Sequence, residues 1–97
     1  MLIIAGTLQV EPTQRDRYLD GMKDFMQSSR SEPGCIDYAL SPDTLDDGLV
    51  RVFEVWDSKA ALAAHLEEFA ARPPGDAEPL AVDVVQYEIS GTGPLGS

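Results

Sequence analysis

Apolar residues along this chain follow two rhythms, and the switches between them mark out its elements. Residues 2 to 10 are rich in Leu, Ile and Val and read as a strand, which Pro12 stops while opening the segment that follows. Leu19, Met22, Phe25 and Met26 then fall at helical spacing, with Arg15, Asp16, Asp20, Lys23 and Asp24 mostly opposite. Residues 12 to about 30 are therefore predicted as one amphipathic helix, slightly weakened by Gly21. Ser31-Glu32-Pro33-Gly34 ends it. Cys35 to Leu40 reads as a second strand with Ile36, Tyr38 and Leu40 in one phase, and Asp43 to Gly48 as a turn. A third strand runs from about Leu49 to Trp56. Asp57 or Ser58 caps a helix through about Ala71, with Leu62, Leu66 and Phe69 as its apolar stripe and Pro73-Pro74 as its stop. Residues 75 to 81 are a loop with room for a short helical turn, Val82 to Ile89 is a fourth strand, and GTGPLGS is a flexible tail.

The order β-α-β-β-α-β is the split βαβ pattern of an α+β, ferredoxin-like fold: a four-stranded antiparallel sheet with two helices on one face. A sheet with one face in water alternates cleanly between apolar and polar residues. Here both phases are largely apolar: Leu2, Ile4, Leu8 and Val10 against Ile3 and Ala5, and Leu49, Phe53 and Val55 against Val50, Val52 and Trp56. An uncovered apolar face of roughly several hundred Å² marks an interaction surface, and the simplest cover is a second copy, sheet against sheet. A homodimer is expected. Residues 1–90 are expected to form one domain and residues 91–97 its tail, the last five of which resemble the scar a protease leaves on a recombinant protein.

Composition narrows the partners. Seven basic residues against 17 acidic ones, a net charge of -10, disfavour nucleic acid and anionic membranes, which repel such a surface. The single cysteine, Cys35, allows no internal disulfide and reads as a small buried apolar side chain. The first residues lack the basic start of a signal peptide, and no run approaches the roughly 20 apolar residues of a membrane span. A soluble, cytoplasmic protein is expected.

The chemistry concentrates in VRVFEVWDSKAALAAHL, residues 50 to 66, where a carboxylate, the lone tryptophan and the lone histidine lie within twelve positions. Side chains alternate along a strand, so Val50, Val52, Glu54 and Trp56 share a face. On the next helix His65 stands three after Leu62 and four before Phe69, on or beside the stripe that faces the sheet. If Glu54 takes the helix-facing phase, acid, indole and imidazole converge between the layers. A carboxylate there is costly unless paired, and either group can then titrate near neutrality, as a general base requires. The plainer alternative makes His65 and Trp56 packing residues and pairs Glu54 with Arg51 or Arg72 at a rim.

Other chemistries lack their residues. One His and one Cys cannot build a zinc site of the usual His/Cys type. There is no glycine-rich phosphate loop and no nucleophile signature beside a histidine. The acids of PDTLDDG are spaced as hairpin residues rather than as a calcium loop. Among other proteins of this topology, RNA-binding domains need a basic, aromatic sheet, metallochaperones a Cys-x-x-Cys loop, and acylphosphatases an Arg and an Asn near the first strand-helix turn.

Glu32-Pro33-Gly34-Cys35 before the second strand, Phe53-Glu54-Val55-Trp56-Asp57-Ser58 closing the third, and Ala60-Ala61-Leu62-Ala63-Ala64-His65-Leu66 on the second helix together resemble the antibiotic biosynthesis monooxygenase family of dimeric α/β-barrel proteins. The resemblance spans Met1 to Ile89. It implies a cofactor-independent oxygenase acting on a quinol or polycyclic phenol with O₂, with small aromatic substrate and O₂ as partners and neither metal nor cofactor. His65 or Glu54 is then the catalytic base, and Trp56, Tyr38, Val52 and Phe69 bind substrate, Trp56 as an aromatic wall. Arg51, in the opposite phase, faces the dimer side or rim.

The chain also departs from the family. Val52 stands where polyketide-tailoring members place an asparagine, and the chain has no asparagine at all. Thr7 occupies the asparagine position of the haem-degrading relatives and His65 lies near their helix tryptophan, so the resemblance points away from haem degradation. Glu68-Phe69-Ala70 replaces a second histidine found in many members. Two rival readings follow: an isomerase of a small oxygenated metabolite, which needs a more polar pocket, and a non-catalytic dimeric ligand-binding domain.

Overall fold

Four eight-residue strands and the helical segments between them form the framework of the chain in a computed structural model that describes residues 1–75 and 77–97. The strands are β1 (Leu2–Gln9), β2 (Cys35–Pro42), β3 (Leu49–Trp56) and β4 (Ala81–Glu88). They form one antiparallel sheet in the order β2-β3-β1-β4. The pattern expected from the sequence is therefore present, a ferredoxin-like α+β fold.

The first predicted helix is subdivided. A 3₁₀ turn (Pro12–Gln14) leads into α1 (Arg15–Gly21) and then α2 (Lys23–Arg30). At the joint the Met22 amide is shared between the carbonyls of Tyr18 and Leu19, at 3.2 and 3.1 Å, while Met26 resumes the regular pattern on Met22. Gly21 offers little resistance to such a disturbance, and the Met22 side chain is drawn into the core. The second helix, α3 (Lys59–Ala71), starts where Ser58 accepts the Ala61 amide at 3.1 Å, a standard N-cap. No helix among the described residues is long and apolar enough to cross a membrane.

Register sets the faces. Leu2, Ile4, Gly6 and Leu8 stand opposite Trp56, Glu54, Val52 and Val50, and Tyr38 and Leu40 opposite Glu54 and Val52. Against this phase pack the helical residues Tyr18, Met22 and Leu62, in two adjoining core clusters. The other phase holds Ile3, Ala5, Phe53, Val55, Val85 and Tyr87, and nothing in this chain's described residues covers it: Phe53 is 41% exposed.

The expected packing of α3 also changes. Of the predicted α3 stripe only Leu62 is buried; Leu66 and Phe69 are exposed, and His65 holds the second buried position on the helix. The reason is a void under the C-terminal half of α3, which Leu66 and Phe69 border. Residues 75 to 80 form the expected loop before β4, with Asp76 lying outside the described residues. The acids of the β2–β3 turn have structural roles there: Asp43 accepts the amides of Leu45 and Asp46 and pairs with Arg51 at 2.9 Å, and Asp46 accepts the Gly48 amide.

Candidate active site

Strand alternation brings Glu54 to the helix side of β3, in one row across the sheet with Tyr38, Ile4 and Gln86. Two residues on, Trp56 shares that face and donates its indole N–H to Glu54 Oε1 at 3.0 Å. His65, on α3, lies directly above. Its Nε2 is 3.7 Å from the same Glu54 oxygen, and its ring packs among those of Trp56, Tyr38 and Phe25, with centroids 4.6, 5.1 and 5.5 Å away. Glu54 is paired with neither Arg51, which turns to the opposite face and binds Asp43, nor Arg72, which contacts Glu78.

A residue that the sequence reading left outside the site completes it. Both carboxylate oxygens of Glu32 lie 3.3 Å from His65 Nδ1, so the imidazole is held between two acids, one at each ring nitrogen. The loop carrying Glu32 is pinned by Gly34, whose φ of +86° suits glycine and whose missing side chain leaves room for Ala61 and Asp57 at the start of α3. The Gly34 carbonyl accepts the Asp57 amide at 2.9 Å. The signal was present in the sequence: an acid directly before Pro-Gly at a turn leading into a core strand.

Electrostatics follow from burial. Desolvation raises the Glu54 carboxyl above its ordinary range, and the Trp56 N–H and His65 only partly oppose this. The Tyr38 phenol is pushed far up, first by burial and next by the neighbouring Glu54 charge, so it remains a hydrogen-bond donor at any physiological pH.

These groups face a cavity of about 500 Å³ between the sheet and α3, lined also by Val82, Val84 and Gln86 of β4. That volume is within the roughly 300–1,000 Å³ of small-molecule sites. Glu54, His65, Tyr38, Val52 and Phe69 all line it. Trp56 does not: it is fully buried behind Glu54 and His65, so it orients the acid rather than forming a wall. Glu54 Oε2 and the Tyr38 hydroxyl make no hydrogen bond among the described residues, which leaves both available to a ligand. A larger groove of about 760 Å³ between α2 with its following loop and α3 touches Glu32 but neither Glu54 nor His65, so the reactive groups belong to the smaller space.

Comparison with known proteins bears on the fold and the family. An uncharacterised protein of Synechocystis is 35% identical over 78 residues, which cover 75% of this chain and 53% of the relative; the chain matches about half of that protein's length. The crystal structure of a Deinococcus radiodurans protein named for the antibiotic biosynthesis monooxygenases superposes with a TM-score of 0.79 at 22% identity, over 100% of both chains. The heme-degrader MhuD of Mycobacterium tuberculosis, solved with two hemes in its active site, gives 0.74 at 11% identity over 97% of this chain and 100% of its own, a likeness of fold. The model of the antibiotic biosynthesis monooxygenase family itself matches residues 1–72, the stretch that supplies Glu32, Glu54, Trp56 and His65, and the chain belongs to that family.

Proposed function

We propose that this protein is a small monooxygenase that oxidises a quinol or polycyclic phenol with O₂, the substrate itself supplying the electrons. The observation that carries the reading is the pairing of a desolvated carboxylate with a histidine at the wall of an apolar cavity. A bound naphthoquinol gives a phenolic proton to Glu54, whose burial strengthens it as a base. From there the proton can pass to His65 Nε2, and the imidazolium so formed lies between the carboxylates of Glu54 and Glu32. The phenolate transfers an electron to O₂, and the two radicals combine at a ring carbon as a peroxide anion. Protonation of that anion and loss of water leave the new oxygen on the ring: quinol plus O₂ gives hydroxyquinone plus water. Tyr38, kept protonated, donates to the oxygen that carries the developing charge. Glu32 is a positioning residue that fixes which nitrogen of His65 faces the reaction.

A second copy closing the open sheet face is part of the same proposal, supported by the apolar phase of Ile3, Phe53, Val55, Val85 and Tyr87, as is a cytoplasmic setting. Oxygen consumption with a panel of reduced naphthoquinols and anthrones tests the activity. Turnover above autoxidation, lost in His65→Ala and Glu54→Gln, is the expected result. Binding of the same compounds without oxygen uptake would instead favour a ligand-binding domain.

A further inference from the structure

Of the seven cations in the chain, Arg72 alone among the described residues lines the cavity. It leaves the end of α3 and lays its guanidinium over the Phe69 ring, 4.4 Å from the centroid. Its ion-pair contact is loose, Nη2 to Glu78 Oε2 at 3.6 Å, while Glu78 is also held by the Gly75 amide at its other oxygen. Arg72 Nε is sealed from solvent with no acceptor among the described residues. A guanidinium carries five donors in a planar fork matched to a carboxylate, and among the described residues only the 3.6 Å contact to Glu78 engages it. The remaining charges on the cavity wall, Glu54 and Glu78, repel anions.

We infer that Arg72 is an anion-recognition subsite, and that the substrate is an aromatic carboxylate whose acid group pairs with Arg72 while its oxidisable ring reaches Glu54 and His65. The inference rests on the proposed function for the identity of the ring and adds the charged substituent. Tyr18 and Tyr38 line the same cavity as Arg72, together with Glu54 and His65, so the guanidinium and the proposed reactive groups border one space.

The test is calorimetric binding of 1-hydroxy-2-naphthoate and of 1-naphthol, which differ in the carboxylate and need no turnover. The wild type is expected to bind the naphthoate at least about 10-fold tighter, the scale of one charge-assisted contact. Arg72→Gln is expected to abolish or reverse that ratio with 1-naphthol changed less than about 3-fold, and Arg72→Lys to keep part of it. Equal affinities in the wild type, no binding of either compound, or an equal loss of both in Arg72→Gln overturns the inference. If Arg72→Gln does not fold, the wild-type ratio and Arg72→Lys still decide. Oxygen uptake without carboxylate preference would remove the subsite and leave the oxygenase; carboxylate preference without oxygen uptake would do the reverse.

Discussion

β3 presents two unlike surfaces. Towards the helices it turns Val50, Val52, Glu54 and Trp56, all less than a tenth exposed; towards the open face it turns Leu49, Arg51, Phe53 and Val55, with Phe53 at 41%. The charge that could sit in water is in the dry layer, and an aromatic ring that belongs in a dry layer is in water. A carboxylate persists in the dry layer because Trp56 donates to it and His65 adjoins it. Among the described residues nothing comparable compensates Phe53. One side of the sheet is thus organised around a reactive acid, and the other is organised to be covered.

Breaking the helix side should have the largest effect. His65→Ala and Glu54→Gln are each expected to lower the proposed quinol oxidation by roughly 10²–10⁴-fold, the usual contribution of general acid-base groups. Arg51→Ala, from the opposite phase, should stay within about threefold in the same oxygen-electrode assay. Loss of activity in Arg51→Ala equal to that in Glu54→Gln would show that the two faces are not functionally distinct.

Packing gives the next contrast. Trp56→Ala empties a fully buried site and is expected to cost about 3–5 kcal/mol in urea unfolding. Phe53→Asp should instead act on assembly: light scattering is expected to give twice the 10.5 kDa chain mass for the wild type and a single chain mass for the variant. A monomeric wild type at micromolar concentration would mean that the open face stays bare.

The smallest effect is electrostatic. Burial makes the folded protein hold a proton on Glu54 more tightly than the unfolded chain does, whose carboxyl titrates near 4.5. The native state therefore binds more protons between the two values, and stability is fully present below the unfolded value and lost as pH rises through the folded one. Glu54→Gln, neutral at every pH, should melt a few degrees above wild type at pH 7 to 8, on the scale of about 1 kcal/mol for a domain of this size. Near pH 4 the two should melt together. A lower melting temperature for the variant at pH 7 would show that ionised Glu54 is stabilising after all.

Much of this contrast was legible in the residues, because alternation and helical spacing are local rules. Period two puts Glu54 and Trp56 on one side of β3, and the step from Leu62 puts His65 on the inner face of α3. The turn residues Pro33-Gly34, Asp43 to Gly48 and Pro73-Pro74 punctuate the elements as read. Periodicity could not tell which side of a buried strand lines a void. Trp56 therefore looked like a cavity wall when it is a hydrogen-bond donor behind the acid, and Leu66 looked like core when it borders a space.

The sequence by itself determined the order of elements, the two-faced sheet and the shared face of Glu54 and Trp56, since each follows from repeats of two or 3.6 residues within a short segment. The structure decided that this face is the one that meets His65. Only the tertiary structure decided that Glu32, 33 positions from His65, closes on its second nitrogen, and that Arg72 turns back over Phe69 at the cavity rim. Those contacts depend on how a glycine-pinned loop and a helix end settle against distant elements. Local spacing fixes the side of an element that a residue occupies, while the path of the intervening chain fixes which residue it meets.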